Sequence, residues 1–163
     1  MPFSLLQVSR AHLEALRDAR TPPDLAERTE SEALPPPRVA IRALRFLAEG
    51  CQELWASTFF IVRDEDQKIV GSCGFKGSPK HGRVEVGYGV SPACRREGVA
   101  TSAVAQLVGL AFSAGANEVL AQVLPENLAS SGVLLKLGFR NLGLNLDEEG
   151  VGVMHWVAAR SDA

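Results

Sequence analysis

One stretch, running from Val84 to Phe112, constrains the fold more than any other part of the sequence: VEVGYGVSPACRREGVATSAVAQLVGLAF. It begins with a strand-like segment, Val84–Val90, which Pro92 ends because proline has no N–H to donate to a ladder. It leads into a nearly all-round apolar run, Val99–Ala114, which is long enough for a buried helix. A strand joined to a long helix through a connection rich in Arg and Gly predicts an α/β fold.

The rest of the chain alternates between helical and strand-like periodicity. Ser9 is a predicted N-cap for an amphipathic helix that carries Leu13 and Leu16, and Pro36 or Pro37 suits the first turn of a second helix. We predict a single domain over residues 1–163 with the element order βααβββαβαββ, because no repeat or interior linker divides the chain. Strands are predicted at 4–8, 58–63, 68–75, 84–90, 118–124, 139–144 and 151–157, and further helices at 99–114 and 127–137. The sheet is expected to be mixed, with parallel character where a helix connects two strands.

The composition excludes several classes of function. Lys and Arg total 17 against 19 for Asp and Glu, so the basic footprint of a nucleic-acid-binding protein is missing. No apolar run is long enough to span a bilayer. Cys51, Cys73 and Cys94 contain no Cys-x-x-Cys pair and are interpreted as free thiols in a reducing compartment. We therefore expect a cytoplasmic protein that binds neither nucleic acid nor membrane; a homodimer is left open.

The connection Arg95–Thr101 (RREGVAT) has the properties of an anion site. It places consecutive backbone N–H groups and two cations at a helix N-terminus, where the first-turn donors have no intrahelical partner and the helix dipole favours negative charge. A Walker loop is excluded because no Gly-Lys-Ser/Thr is present. A dinucleotide fingerprint is excluded because Gly87-Tyr88-Gly89 lies inside a strand and is followed by Pro92.

The remaining pattern, Arg-x-x-Gly-x-Ala, resembles that of the GNAT-type N-acetyltransferases, and in particular the branch that includes the ribosomal-protein N-terminal acetyltransferases. The resemblance runs from about Phe59 to Leu142 and is strongest in the blocks VEVGYGVSP, RREGVATSAV and LPENLASSGVLLKLGF. It implies a mixed central sheet flanked by helices, splayed open between the strand of Glu85 and the strand of Val123. It also implies a CoA thioester donor, acetyl-CoA, and no metal.

The resemblance further implies which residues hold the donor. The pyrophosphate would be bound by Arg95, Arg96, Gly98, Val99, Ala100 and Thr101. The pantetheine arm would lie along the end of the Val84–Val90 strand and hydrogen-bond to the main chain near Tyr88 and Val90. Asn127 and Ser130 match the family's Asn-x-x-Ser/Ala positions and should face the pantetheine and the thiol.

Two residues are candidates for proton transfer. Glu85 is flanked by Val84 and Val86, so strand alternation turns it to the opposite face, and the family often uses a glutamate of this strand as the base. The alternative is an exposed strand carboxylate without a role. Ser130 could protonate or hydrogen-bond the departing thiolate; the alternative is a solvated helix hydroxyl. Relatives often place a tyrosine acid at the position of Leu134, whereas the only tyrosine here is Tyr88, so the general acid is left open.

These observations predict an enzyme that moves an acetyl group from acetyl-CoA to a primary amine by direct transfer in a ternary complex. N–H groups near Gly89 and Val90 would stabilise the oxyanion. The acceptor could be a peptide N-terminus or a small amine, and an acidic set of residues would suit a cationic one. That set is Glu27, Glu30, Glu32, Asp147, Glu148 and Glu149. The alternatives are a non-catalytic acyl-CoA-binding sensor or interaction module, and a purely structural interaction domain.

Overall fold

The structure, a computed structural model, describes residues 2–161. The predicted domain of 1–163 therefore includes three residues, 1, 162 and 163, that lie outside the description. The elements are β1 (Phe3–Gln7), α1 (Arg10–Arg17), α2 (Pro37–Ala48), β2 (Thr58–Arg63), β3 (Lys68–Phe75), β4 (Arg83–Val90), α3 (Val99–Ser113), β5 (Glu118–Val123), α4 (Leu128–Lys136), β6 (Arg140–Leu146) and β7 (Gly152–Ala159). The predicted order βααβββαβαββ is confirmed. Between residues 2 and 161 no helix is long and apolar enough to cross a membrane.

The strands form one seven-stranded sheet in the order β1-β2-β3-β4-β5-β7-β6. All neighbouring pairs are antiparallel except β4 and β5, which are parallel. A parallel pair needs a crossover connection, and α3 supplies it between these two strands. The sheet is therefore mixed, as expected from the helix that follows the Val84–Val90 strand.

The ladder between β4 and β5 is short. It runs from the pair Arg83–Glu118 to the pair Val86–Ala121 and then stops, although β4 continues to Val90 and β5 to Val123. On its other side β4 stays paired with β3 as far as the pair Val90–Gly71. The two central strands therefore diverge over their last residues, and the predicted splay is confirmed.

The sheet separates two apolar cores. The continuous apolar run of β2 sends Phe59 and Ile61 into one core, with α3, and Phe60 and Val62 into the other, with α1 and α2. Because successive strand side chains point to opposite faces, a run without polar residues is the pattern of a strand covered on both sides. Helices on both faces therefore hold the central strands in place at the site.

The helices are less uniformly buried than their composition indicates. The inner face of α3, including Val104 and Leu107, is fully buried, but Gly109 and Leu110 face outward. The expectation of a buried helix is therefore confirmed for the inner face of α3, whereas its outer face is exposed despite its apolar residues. In α4, Leu134 is completely buried while Leu135 is exposed. Apolar residues on an exposed helix face are common, because the sequence contains too few polar residues to cover the surface.

Gly71 of β3 allows β4 to approach closely. A Cβ atom at this position would lie 2.4 Å from the carbonyl oxygen of Gly89 and 3.3 Å from Cδ1 of Ile61. We expect Gly71→Ala to lower the free energy of unfolding by about 1–3 kcal/mol, because the backbone of β4 must shift. Denaturant unfolding measures it.

The matched control is Gly109→Ala, because a Cβ there meets no atom within 4 Å and the position lies inside α3. The control should raise the free energy of unfolding by about 0.5–1 kcal/mol, since alanine is the better helix former. Equal effects of the two substitutions would contradict the close approach.

Candidate functional site

The loop that precedes α3 has an unusual backbone. Arg96 has a φ of 68° and Gly98 a φ of 82°, both in the left-handed region. An arginine with this φ is uncommon and marks a conformation that the surrounding structure enforces. Gly98 is the N-cap of α3, no side chain caps the helix, and its first turn contains no acidic residue. The first-turn N–H groups of α3 are therefore left for an external anion.

The two arginines of the loop are available as well. Arg95 and Arg96 are exposed, and neither forms an ion pair with any residue between 2 and 161. The third charged residue of the loop behaves differently. Glu97 accepts a hydrogen bond of 3.0 Å from Arg63, at the end of β2. The loop thus presents two free cations while its carboxylate is turned back to the protein.

Arg63 is a functional candidate that the sequence reasoning missed. Besides Glu97 it donates to Asp66 over 2.8 Å, and Glu30 lies 3.6 Å away. These hydrogen bonds to Asp66 and Glu97 raise the pKa of Arg63 and keep it charged. Asp66, whose strongest partner is Arg63, has its pKa lowered to about 2. Arg63 therefore ties the loop Arg95–Thr101 to the β2–β3 hairpin, but a separation of 34 residues from Glu97 leaves no local sequence signal.

The backbone of β4 presents polar groups to the gap. The carbonyl of Glu85 accepts from the N–H of Lys76, and the N–H of Ser91 donates to Val70, so odd-numbered residues turn their polar groups toward β3. By strand alternation the even-numbered residues, including Tyr88 and Val90, turn theirs toward β5. Because the β5 ladder has stopped by then, these groups face open space. Of the two N–H groups expected near the oxyanion, that of Val90 faces the gap and that of Gly89 faces β3.

A cavity of about 420 Å³ opens at this gap. One wall is formed by the ends of β3, β4 and β5, and the opposite wall by α2 with the segment that precedes it. Tyr88 and Val90 line it together with Asn127 and Ser130, at the start of α4. Four of the predicted site residues therefore meet at one cavity. The predicted loop Arg95–Thr101 is not part of its wall and lies beyond the C-terminal end of β4.

Glu85 lies next to this cavity, behind two side chains that line it. Lys76 donates to one carboxylate oxygen over 3.0 Å, and Gln122 donates to the other over 3.2 Å. Glu85 is on the face opposite Val84 and Val86, both of which are buried, so the alternation is confirmed. An ionised carboxylate has about four lone-pair sites, so Glu85 keeps acceptor capacity beyond these two bonds. Neither Lys76 nor Gln122 had been singled out from the sequence.

Ser130 is held from two sides. Its backbone N–H donates to the side chain of Asn127 over 3.1 Å, so Asn127 is the N-cap of α4. Its hydroxyl is hydrogen-bonded to the hydroxyl of Tyr88, which reaches across the gap from β4. Burial raises the pKa of Tyr88, while the hydrogen bond with Ser130 lowers it by less. A tyrosine therefore does contact the helix in which relatives often carry one, but it comes from the strand.

The position at which relatives often carry a tyrosine contributes to the core in this chain. Leu134, where the family resemblance places a tyrosine acid, is completely buried in the core beneath α4. Its side chain packs in the same core as Val104 and Leu107 of α3. Among residues 2–161 no group of three or more His, Cys, Asp or Glu side chains could hold a metal ion.

A seven-stranded mixed sheet with its central parallel pair splayed, and an uncapped helix beside the gap, define the class of acyl-CoA-binding acetyltransferase folds. The chain belongs to the family described as acetyltransferase (GNAT) domain, whose sequence profile matches residues 3–140. This confirms the family resemblance seen in the three sequence blocks.

Curated relatives share about a third of their aligned residues. The uncharacterised N-acetyltransferase YoaA of Bacillus subtilis (strain 168) is 34% identical over 107 residues, which cover 64% of this chain and 60% of that protein. The uncharacterised N-acetyltransferase p20 of Bacillus licheniformis is 35% identical over 96 residues, or 58% of this chain and 54% of that protein. The chain thus matches about 60% or less of the length of these relatives.

Solved structures confirm the fold over nearly the whole chain. A ribosomal-protein-S5-alanine acetyltransferase from Vibrio fischeri superposes with a TM-score of 0.70 at 17% identity and covers 99% of this chain and 95% of its own. The protein yncA from Salmonella typhimurium, solved with its cofactor acetyl-CoA, gives a TM-score of 0.66 at 13% identity, with 100% and 96% covered. A spermidine N-acetyltransferase from Vibrio cholerae gives 0.68 at 13% identity, with 97% and 94% covered. At these identities the likeness shows the fold alone.

The contact between Tyr88 and Ser130 can be measured directly, because Tyr88 is the only tyrosine of the chain. We expect its tyrosinate absorbance to titrate with a midpoint above the ordinary 10.0, because burial disfavours the charged form. Ser130→Ala should raise the midpoint further, because the phenolate, once Tyr88 has ionised, loses the hydrogen bond that the Ser130 hydroxyl then donates to it. Because the pKa of Tyr88 is higher in the folded than in the unfolded protein, the protonated phenol contributes to the free energy of unfolding. This contribution is fully present below the pKa of the unfolded state and is lost as the pH rises through the pKa of the folded state.

The control is Ser131→Ala, on the same helix. Its hydroxyl makes no hydrogen bond with any residue between 2 and 161, and its backbone N–H donates to the carbonyl of Asn127. This variant should titrate like the parent chain. A midpoint equal to that of the urea-unfolded protein, or one that falls in Ser130→Ala, would contradict the assigned contact.

Proposed function

We propose that this protein is an N-acetyltransferase that transfers the acetyl group of acetyl-CoA directly to a primary amine in a ternary complex. One observation carries the proposal: the polar main-chain groups of Tyr88 and Val90 face a gap that opens where the β4–β5 ladder stops. An uncapped helix N-terminus with two free arginines stands beyond the same strand end. Family membership and the names of the curated relatives support the same activity.

The chain has residues suited to two parts of an acyl-CoA donor, the pyrophosphate and the pantetheine arm. The first-turn N–H groups of α3, with Arg95 and Arg96, would bind the pyrophosphate. Gly98 and Ala100 would keep the backbone approachable, and Thr101 would add a hydroxyl. The main-chain groups of Tyr88 and Val90 would hydrogen-bond to the pantetheine, as the main chain of a strand pairs with a strand added beside it. When bound, acetyl-CoA supplies an activated acyl group on a thiol leaving group.

Glu85 is the proposed base. An amine acceptor must lose a proton before it can attack, since an α-amine has a pKa of about 8 and a lysine amine about 10.4. Lys76 and Gln122 fix the orientation of the Glu85 carboxylate beside the cavity wall. The N–H of Val90 would donate to the carbonyl oxygen of the donor as negative charge develops there.

Ser130 is the proposed hydrogen-bond donor to the leaving thiolate, which takes its proton from solvent, and Tyr88 is the positioning residue of Ser130. Because burial raises the pKa of Tyr88, its hydroxyl stays neutral and keeps a proton to donate. Donation from Tyr88 to the Ser130 oxygen leaves the serine proton free to point away from Tyr88, into the cavity. Asn127 fixes the same serine through its backbone N–H.

Compartment and assembly are proposed more broadly. We keep the expectation of a cytoplasmic protein, which the free thiols support: Cys73 and Cys94 are buried and Cys51 is half-buried.

A homodimer is also kept as a proposal. The edge strand β6 exposes Leu142, Leu144 and Leu146 at alternate positions, and the molar mass in solution tests whether a second copy covers them.

Saturating acetyl-CoA should raise the melting temperature by roughly 5–10 °C when present at about a hundred times its Kd.

We expect Arg95→Ala to weaken binding roughly tenfold, because a charge-assisted hydrogen bond to phosphate is lost. Arg10→Ala is the matched control, because Arg10 is also exposed and lies on α1. It should bind as the parent chain does.

Glu85→Gln separates an enzyme from a sensor. We expect this variant to keep the thermal shift and to lose acetyl transfer to amines by roughly 10²-fold or more, measured as thiol release. An unchanged melting temperature in the parent chain would contradict donor binding and leave only a structural role. Binding without thiol release from any amine would instead favour the non-catalytic module.

Ser130 and Tyr88 should behave as one unit in kinetics. Ser130→Ala and Tyr88→Phe are each expected to lower kcat roughly fivefold, the value of one neutral hydrogen bond, with little change in the KM for acetyl-CoA. The double variant should be no slower than Ser130→Ala, since Tyr88 acts through Ser130. Losses that multiply in the double variant would show that the two hydroxyls act independently.

A further inference from the structure

Arg42 occupies an unusual position in the cavity wall. It projects from α2 opposite the open ends of the strands and is half-buried. It forms no hydrogen bond and no ion pair with any residue that the structure describes. Burial lowers the pKa of its guanidinium, the charge of Glu85 raises it, and Arg38 and Arg45 lower it. A charged group has therefore been removed from water without a direct partner.

The other charges of the cavity do not neutralise it. Arg38, one helical turn before Arg42, lines the same wall and also lacks a partner within the described chain. Lys76 is already paired with Glu85. Glu32 is the remaining carboxylate of the wall, so two arginines face one free carboxylate. The cavity beside the proposed reaction site is thus net positive.

The acidic residues expected to attract a cationic acceptor are mostly engaged or distant. Of the six, only Glu32 lines the cavity. Glu30 lies within 3.6 Å of Arg63 and 3.5 Å of Lys68. Asp147 accepts hydrogen bonds from the backbone N–H groups of Glu149 and Val151 and so closes the β6–β7 turn. The expectation drawn from the composition of these segments does not carry over to the cavity.

An unpaired arginine in a cavity is costly, because a half-buried charge loses hydration without an interaction that replaces it. The cost is offset when a ligand supplies the missing anion. The guanidinium is planar and offers a fork of N–H donors that fits a carboxylate or a phosphate with two parallel hydrogen bonds. Arg42 and Arg38 thus have the chemistry of a receptor for an anionic group of that shape.

We propose that the acceptor amine carries a carboxylate or phosphate close to the amine, and that Arg42, with Arg38 beside it, binds this group. The inference rests on the proposed function, because it places the amine between α2 and Ser130. A volume of about 420 Å³ lies low in the range of roughly 300–1,000 Å³ usual for ligand pockets, so only a small acceptor head fits beside the reacting end of the donor. Polyamines, which carry only positive charge, would be repelled.

The test compares acceptors that differ only in the anion. Thiol release by the full chain is measured with L-alanine against L-alaninamide, with the tripeptide Ala-Glu-Ala against Ala-Gln-Ala (both as C-terminal amides), and with phosphoethanolamine against ethanolamine. Spermidine is included as the polycation. Rates are expressed per concentration of unprotonated amine, because the members of each pair differ in amine pKa. We expect kcat/KM of at least one anionic member to exceed that of its partner roughly tenfold or more. The pair that discriminates shows whether the anion belongs to an amino acid, a peptide side chain or a phosphate.

Two charge-matched variants assign the effect to a residue. Arg42→Gln should bring the ratio within that pair close to one, mainly through a higher KM for the anionic member. Arg45→Gln removes the same charge from the same helix, but Arg45 lies outside the cavity wall, 3.8 Å from Glu49, and should leave the ratio unchanged. Arg42→Lys, which keeps the charge and loses the fork, should fall between them. Equal rates in all three pairs, a preference for spermidine, or a ratio that survives Arg42→Gln would overturn the proposal.

A binding measurement separates this inference from the proposed function. If no amine releases thiol although acetyl-CoA raises the melting temperature, transfer fails as a function and the anion site is judged by thermal shift. The discriminating test is then whether L-alanine, Ala-Glu-Ala or phosphoethanolamine stabilises the parent chain more than its neutral partner and Arg42→Gln removes that difference. If none of the three does so, the anion site is refuted as well.

Discussion

The early end of the ladder between β4 and β5 is the constraint on which the rest of the site depends. Past the pair Val86–Ala121 the two central strands no longer satisfy each other's main-chain groups. In a closed sheet this loss would be costly, because unpaired backbone groups away from water lose hydrogen-bond energy. Here the free groups belong to Tyr88 and Val90 and face a cavity, so a ligand or water can pair with them. The antiparallel ladder with β3 and the helices on both faces hold the strands apart at this point.

The charges around the gap fall into two kinds. One kind is locked: Arg63 holds Glu97 and Asp66, and Lys76 holds Glu85, so these groups fix loops and orient a carboxylate. The other kind has no partner among the described residues. It consists of Arg95 and Arg96 in the loop before α3 and of Arg38 and Arg42 in the cavity wall. Because these carboxylates are already paired, they do not neutralise the unpaired arginines. This division explains why a chain with a net charge of −2 can present net positive surfaces both at the loop Arg95–Thr101 and at its cavity.

The order of elements was readable from the sequence because each helix and strand carries a local signal. Ser9 caps α1 as predicted, and the change from helical to alternating periodicity after Ser57 marks β2. The loop at Gly98 was readable for the same reason, since glycine before an apolar helix has a local meaning. Element boundaries moved by no more than two residues because hydrophobic periodicity and tertiary packing agree here.

What the sequence could not show are contacts between distant residues. Arg63 with Glu97, and Lys76 and Gln122 with Glu85, are separated along the chain by 9 to 37 residues and join only when the sheet forms. Arg42 of α2 likewise shares a cavity wall with β4 only in the folded chain. Composition also could not show which acidic residues line the cavity, because an acidic segment says nothing of which carboxylates already have partners. It was also misleading for α3 and α4, where Leu110 and Leu135 face outward despite their apolar side chains.

The tyrosine contact shows how a chemical requirement can be met from a different element. In this chain the position that would carry a tyrosine acid in α4 holds Leu134, which is fully buried and completes the core against α3. A tyrosine hydroxyl nevertheless reaches α4, because Tyr88 extends from β4 across the splayed gap to Ser130. That reach exists only because β5 no longer occupies the space beside Tyr88. The opening that would admit the donor thus also admits the residue that would position the serine hydrogen-bonded to its thiolate. Burial keeps the phenol neutral, which suits a hydrogen-bond donor better than an acid that must ionise.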